Sequence, residues 1–404
     1  MARDPSETRP VLNALVVFGT RPEAIKLAPV VAELRSRVGV AVTVCVTAQH
    51  REMLDQVLDL FGMTPEYDLD VMKADQRPED VSADVLRRTA DLCRRLQPDV
   101  LLVQGDTTTA MAASLGAFFA RIPVGHVEAG LRTGIRTSPF PEEMMRRIVS
   151  EVALFHFAPT TRAAENLARE HAHAEGHIFL TGNTVVDAVE WIKRHRPAQQ
   201  LSFARQAKRL ILLTAHRREN FGEPIQSICR AVRTIADRFA DIEIVYPVHL
   251  NPNVQGPARA LLSGHERIHL LPPVTYVELV GLLKEADLVL TDSGGLQEEA
   301  PVFGRPVLVL RRDTERPEAI EAGTALLVGT DETAIVRETA RLLTDREAYT
   351  RMAQAKSPFG DGHAARRIAD ILMSWRGGEL DRVEHLRWRE GGTLAPYQAL
   401  VGVP

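Results

Sequence analysis

Leu12-Asn-Ala-Leu-Val-Val-Phe-Gly-Thr-Arg-Pro-Glu-Ala-Ile-Lys26 decides the fold. Its first seven residues form a short apolar run without alternation, the signature of a strand buried on both faces. Gly19-Thr20 breaks the run. Pro22 is placed to be the first residue of a helix, where its missing N–H costs nothing. A strand that feeds a helix through a tight turn is half of a βα unit, and the same grammar recurs along the 404 residues. Leu12–Phe18, Val40–Val46, Val100–Val103, Ile122–Val127 and Leu154–Phe157 read as strands of a first series. Leu210–Leu213, Ile242–Tyr246, Ile268–Leu271, Leu288–Leu290 and Val307–Leu310 restart it. Repeated βα units imply parallel sheets covered by helices on both faces. The polar stretch from Arg194 to Lys208 separates the two series. The expected fold is therefore α/β: two doubly wound Rossmann-like domains facing a central cleft. The expected boundaries are 11–185 for the first domain, 186–365 for the second, and 366–404 for a helix returning towards the first domain plus a tail.

Composition narrows the function. A net charge of -4 carries no polyelectrolyte signature, so no nucleic-acid partner is expected. Met1 to Pro10 lacks the apolar core of a signal peptide, and no apolar run is long enough to span a bilayer; a cytoplasmic protein without membrane contact is expected. Cys45, Cys93 and Cys229 lie far apart in apolar segments and read as small buried hydrophobes.

Four strand-to-helix loops carry the chemistry: Gly19–Glu23, Gly105-Asp-Thr-Thr-Thr109, His126-Val-Glu-Ala-Gly-Leu-Arg132 and Asp292-Ser-Gly-Gly-Leu-Gln-Glu-Glu299. Ligands of open α/β sheets bind outside the carboxyl ends of the strands. Arg21 and Lys26 flank a helix N-terminus, an anion-binding arrangement. Asp106 and Glu128 follow apolar strands directly. Glu142 and Glu143 open a helix, where compensation of the helix dipole is the plain alternative. In the second series, Thr214-Ala-His-Arg-Arg-Glu-Asn-Phe-Gly222 puts His216 between a strand end and two arginines, suited to phosphate contact or proton transfer. The Ser293-Gly294-Gly295 turn suits a phosphate, and Glu299, further along that helix, either reaches a ribose hydroxyl pair or faces solvent. No G-x-G-x-x-G follows the first strand and no Walker A lysine loop is present, so a nicotinamide site is unsupported. His171, His173 and His177 lack the spacing of a metal site, and no metal is expected.

Phe18-Gly-Thr-Arg-Pro-Glu-Ala-Ile-Lys26, Thr47-Ala-Gln-His-Arg-Glu-Met-Leu54, His126-Val-Glu-Ala-Gly-Leu-Arg-Thr133, Val245-Tyr-Pro-Val-His-Leu-Asn-Pro252 and the Ser293 loop together resemble the non-hydrolysing UDP-N-acetylglucosamine 2-epimerases, relatives of the B-type glycosyltransferases. The likeness runs from about Leu15 to Ile371. It implies interconversion of UDP-N-acetylglucosamine and UDP-N-acetylmannosamine through elimination and re-addition of UDP, with no cofactor, and it points to a homodimer. It places catalytic groups at Asp106, Glu128, Glu142 and His216. It places substrate contacts at Arg21, Lys26, Arg132, Arg217, Asn220, Ser293, Gly294, Gly295, Glu299 and Arg316. Gln49, Arg51, Gln56 and His249 are candidates for an accessory site that binds a second substrate molecule as activator. The chain departs from the family pattern at Met145, where Asn is usual, at Asp313, where Thr is usual, and in its C-terminal tail. Rival readings on this scaffold are a hydrolysing epimerase, an epimerase of another UDP-2-acetamido sugar, a B-type glycosyltransferase and a silent UDP-sugar sensor.

Overall fold

The computed structural model describes residues 12–47, 51–71, 76–170, 177–196 and 207–389, with the backbone alone at 51–53. Among the described residues the chain forms two compact units, one taking in residues up to Ala188 and again from Phe359, the other Val189–Pro358. The second unit thus ends earlier than the 365 expected from sequence.

The first unit holds β1 (Leu12–Phe18), β2 (Val40–Val46), β3 (Tyr67–Asp68), β4 (Val100–Gln104), β5 (Val124–Val127), β6 (Phe155–Ala158) and β7 (His177–Leu180). They form one seven-stranded sheet in the order β3-β2-β1-β4-β5-β6-β7, and all pairings are parallel. Helices α1 (Arg21–Arg35), α2 (Arg51–Phe61), α3 (Pro78–Leu96), α4 (Thr108–Phe119), α5 (Glu142–Val152), α6 (Thr161–Glu170) and α7 (Thr184–His195) follow the strands in turn. Leu15, Val17, Leu101 and Val103 meet Val85, Cys93, Ala113 and Val149 in a core buried from water. Each such aliphatic side chain contributes roughly 1.5–3 kcal/mol by burial. α4 is apolar nearly all round because it packs on α3, α5 and the sheet at once.

In the second unit β8 (Arg209–Thr214), β9 (Ile242–Pro247), β10 (Ile268–Leu271), β11 (Leu288–Thr291), β12 (Val307–Val309) and β13 (Ala325–Leu327) form a parallel sheet in the order β10-β9-β8-β11-β12-β13. Its helices are α8 (Glu223–Arg238), α9 (Pro252–Leu262), α10 (Tyr276–Glu285), the short α11 (Gly294–Glu299) and α12 (Pro317–Glu321), α13 (Glu332–Thr344) and α14 (Arg346–Ala353). Ile211, Leu213, Ile228, Val232, Ile244 and Leu290 are among the residues of its core. Both sheets have the doubly wound order that the alternation implied. Strands β3, β7 and β13, absent from the sequence reading, are all edge strands. An edge strand is short and needs no long apolar run, so nothing in composition marks it.

After Phe359 the chain enters α15 (Ala364–Arg376), which packs on α1. Asp187, in α7, accepts the N–H groups of Ala364 (3.2 Å) and Ala365 (2.9 Å) at the N-terminus of α15. Burial pushes the Asp187 carboxyl up to about 7. Fully buried Arg367 joins Asp361 (2.7 and 2.8 Å) and the Thr181 carbonyl (3.0 Å). A 3₁₀ stretch, Leu380–Leu386, leads to an antiparallel bridge between Arg387 and Phe179. The Trp388 N–H donates to the Ile178 carbonyl at 2.9 Å, so this segment covers the outer edge of β7. Cys45, Cys93 and Cys229 are buried thiols, each pushed up to about 12 by burial. Among the described residues no helix is long and apolar enough to cross a membrane.

Candidate active site

The carboxyl ends of β1, β4 and β5 converge in the first unit. Gly19 ends β1 where a Cβ would lie 2.1 Å from Thr47 Oγ1 and 2.5 Å from Thr109 Oγ1, so only glycine fits. Buried Glu23 accepts the N–H groups of Gly19 (3.0 Å) and Thr20 (2.7 Å) and the Thr107 hydroxyl (2.6 Å). Burial raises its pKa, against the lowering effect of those hydrogen bonds. The turn after β1 is thereby tied to the turn after β4, and Lys26 is aimed from α1 at Glu128, with which it forms an ion pair.

Glu128 is the residue after β5. It is 8% exposed and adopts φ of 64°, a left-handed conformation that costs a non-glycine residue about 1–3 kcal/mol. Oε1 accepts from Gln104 Nε2 at 3.0 Å; Oε2 accepts from Asn183 Nδ2 at 2.7 Å as well as from Lys26. Behind it, fully buried His126 donates from Nε2 to the Gly105 carbonyl at 2.8 Å. Burial holds His126 down at about 4, so it is neutral at physiological pH. Gly105 itself has φ of 71°.

Asp106, next along that turn, is partly exposed and ion-pairs with Arg146 of α5. Glu143, fully buried, aims Arg146: it accepts from Arg146 Nη1 (3.4 Å), Arg147 Nη2 (3.1 Å) and the Thr133 N–H (3.1 Å). Glu142 opens α5 with a buried Oε2 that has no hydrogen-bond partner. Met145, one turn along, is buried, and its sulfur accepts from Thr108 Oγ1 at 3.9 Å. Lys26, Asp106, Glu128 and Glu142 thus stand on neighbouring strand-to-helix junctions, while Arg21 opens α1, partly exposed. Arg132 does not join them. Its guanidinium is taken by Glu170 (2.7 Å), Ser150 (3.1 Å) and the Leu131 carbonyl (2.9 Å).

In the second unit, the ends of β8 and β11 are bound together by Asp292, which is fully buried. Its Oδ2 accepts the N–H groups of His216 (2.8 Å) and Arg217 (2.8 Å) and Nδ2 of Asn220 (3.0 Å). Oδ1 lies 3.7 Å from Nδ1 of His216. Burial lowers the His216 pKa and Asp292 opposes this, while Arg217 and His249 add to the lowering. The His216 ring stacks on the exposed His249 ring, centroids 5.6 Å apart. Glu315 would be raised by burial, but Arg316, Arg311 and Arg217 hold it down at about 2. It accepts from Arg217 (3.4 Å) and Arg311 (2.5 Å). Ser293 stands at the N-cap of α11 without a side-chain capping bond. A Cβ on Gly295 would lie 3.9 Å from both Ser293 Oγ and Glu299 Oε1, so Ser293 and Glu299 flank this glycine. Tyr276 donates to Glu299 at 3.2 Å. Arg316 is buried in an ion pair with Glu298.

Gln49 and the side chain of Arg51 lie outside the described residues, as do His171 and His173; Gln56 is exposed on α2. His177 accompanies Arg387 and Phe155 rather than a ligand cluster. Among the described residues no group of three or more His, Cys, Asp or Glu could hold a metal ion. Sequence reasoning gave no role to Gln104, Asn183, Asp292 or Glu315. A polar residue ending an apolar strand, as in Leu101-Leu-Val-Gln104, is the one signal that marks Gln104.

A profile described as UDP-N-acetylglucosamine 2-epimerase matches residues 32–373. The chain is 50% identical over 372 residues to the UDP-N-acetylglucosamine 2-epimerase of Yersinia pestis and 49% identical over 374 residues to that of Escherichia coli strain K12, in each case over 90% of this chain and 99% of the relative. The crystal structure of the Neisseria meningitidis UDP-GlcNAc 2-epimerase bound to UDP-GlcNAc superposes with a TM-score of 0.81 at 43% identity, over 90% of this chain and all of that one. Matched by that profile over most of its length and about half identical to such relatives nearly end to end, the chain belongs to the UDP-N-acetylglucosamine 2-epimerase family.

Proposed function

We propose that this chain interconverts UDP-N-acetylglucosamine and UDP-N-acetylmannosamine by inversion at C2, without hydrolysis. The observation that carries the reading is the set of cation-paired carboxylates at the strand ends of the first unit in a chain about half identical, nearly end to end, to enzymes of that name. The C2 proton neighbours no carbonyl and is barely acidic. Elimination answers this. A carboxylate takes the proton, the C–H electron pair becomes the C1=C2 bond, and the C1–O bond breaks to release UDP. UDP then adds back to C1 of the 2-acetamidoglucal as a proton returns to the other face of C2. The route needs acid and base groups at the sugar and cations or N–H donors at the diphosphate.

Asp106, Glu128 and Glu142 are our candidates for proton transfer, with Glu128 or Asp106 at C2. Lys26 pairs with Glu128, and Arg146 with Asp106. His216, Arg217 and Arg21 are suited to the diphosphate. Asn220 stiffens the His216 turn through Asp292. Ser293, Gly294 and Gly295 offer donors at the start of α11, and Glu299 offers an acceptor to ribose hydroxyls. Arg132 and Arg316, each held in an ion pair, are further candidates for substrate contact. Gln56 and His249, with Gln49 and Arg51, remain the accessory-site assignment. Sigmoidal rates with UDP-N-acetylmannosamine alone, relieved by traces of UDP-N-acetylglucosamine, are its expected sign. We also propose a homodimer, checked by light scattering on the eluting protein.

Proton NMR of the purified protein with UDP-N-acetylglucosamine in deuterated water tests the main reading. UDP-N-acetylmannosamine deuterated at C2 is the expected product. Free N-acetylmannosamine plus UDP would replace it with the hydrolysing reaction, and an unchanged spectrum would overturn it.

A further inference from the structure

We propose that Asn183 is a positioning residue for Glu128: it pins one carboxylate oxygen, Oε2, so that the other, Oε1, is the oxygen that exchanges protons with substrate. The inference rests on the epimerase reading above. Its geometry comes from the way every polar group of Asn183 is committed. Nδ2 donates to Glu128 Oε2 at 2.7 Å. Oδ1 accepts the Val185 N–H at 3.0 Å in the first turn of α7, which fixes which way the amide faces. The backbone N–H donates to the Phe359 carbonyl at 2.7 Å. Asn183 is 2% exposed. Gly360, at φ of 118°, holds the returning chain against this turn: a Cβ there would lie 3.2 Å from Gly182 Cα.

The two oxygens of Glu128 therefore differ. Oε2 meets Lys26 and Asn183, and neither can accept a proton: an ammonium has only donors, and this amide's oxygen already holds Val185. A proton placed on Oε2 would face two donors. Oε1 accepts from the amide of Gln104 at 3.0 Å, a group that presents an acceptor oxygen if it turns over. Oε1 also faces the turn that carries Asp106, since a Cβ on Gly105 would lie 3.9 Å from it. In the elimination, the proton leaving C2 goes to Oε1 and the C–H electron pair enters the C1=C2 bond as UDP departs. Re-addition returns a proton to C2. Asn183 touches no reacting atom. Its part is to hold Oε2, and through it the orientation and charge of the group.

Asn183→Asp separates this role from helix capping, because it keeps the oxygen for Val185 and replaces the donor to Glu128 with a carboxylate oxygen. Steady-state rates with UDP-N-acetylglucosamine and deuterium wash-in at C2, both followed over pH 5 to 9, are the readouts. Loss of an amide donor from a charged carboxylate predicts a fall in kcat of about tenfold or more, with KM within about twofold. The acidic limb of the kcat profile moves to higher pH, since Glu128 then ionises beside a second carboxylate. Asn183→Ser, whose oxygen stays near Val185 but which has no amide for Glu128, repeats the loss of kcat and serves if the aspartate variant does not fold. Wild-type kcat and an unmoved profile in either folded variant overturn the proposal. A loss of thermal stability with kcat unchanged does so too, for it marks a cap and nothing more. Absence of epimerisation in the wild-type protein is a different failure and falls on the parent reading alone.

Discussion

The strand ends of the two units have the same topology and opposite electrostatic sense. In the first, acids at the strand ends are paired with cations: Glu128 with Lys26, Asp106 with Arg146. In the second, buried acids stand behind. Asp292 gathers the His216 and Arg217 N–H groups, and Glu315 holds Arg217 and Arg311, so that a histidine, an arginine and the start of α11 are presented. Under the proposed function the first arrangement serves proton transfer and the second the anionic leaving group. Since both rest on the same sheet pattern, the sheet supplies only places; the loops supply the sign of charge.

The largest expected effect tests the first half of that contrast. Glu128→Gln keeps the shape and removes the charge, and kcat should fall by about 10²–10⁴-fold while UDP still binds, as read by steady-state rates and calorimetry. A variant that keeps a tenth of wild-type kcat would break the contrast. A pH titration sharpens it next. His126 is held at about 4 when folded against an ordinary 6.5. Above 6.5 it is neutral in both states. As pH falls through 6.5 the unfolded chain gains a proton that the folded one refuses, so stability is lost down to about 4, by about 3 kcal/mol. Glu315, held at about 2 against 4.5, contributes stability above 4.5 that is lost only as pH falls towards 2. Asp187, raised to about 7 against an ordinary 3.8, works in the opposite sense over the same range, so the His126 contribution is read by difference: paired urea titrations should show His126→Gln losing less stability than the wild-type protein between pH 6.5 and 4.

A smaller effect belongs to the second half. Arg217→Ala should weaken UDP binding by about 10–100-fold, the worth of a charged hydrogen bond, measured by calorimetry. The same change should leave the acidic limb of the rate profile in place. The smallest is expected at Asp313, whose side chain is 90% exposed and 3.8 Å from Arg311. Asp313→Thr should change stability by less than about 0.5 kcal/mol, read by urea unfolding. A larger shift would mean that this departure from the family pattern reaches the Arg311–Glu315 pair.

Local order settled much in advance. The run Leu12–Phe18 with Gly19 and Pro22 behind it specifies strand, turn and helix, because burial on both faces and the proline ring act over a few residues. The same holds for the strands of the second series. Tertiary structure alone decided which side chains meet. Glu128 has its left-handed backbone and its donors because β1, β4, β5 and the turn after β7 meet in one sheet. Lys26, Gln104 and Asn183 come to it from 102, 24 and 55 residues away. Edge strands β3 and β7 and the Trp388 segment that covers β7 likewise acquire meaning only from their neighbours. Sequence fixes what each residue can donate or accept over short range. Strand order, a property of the whole chain, chooses the partner.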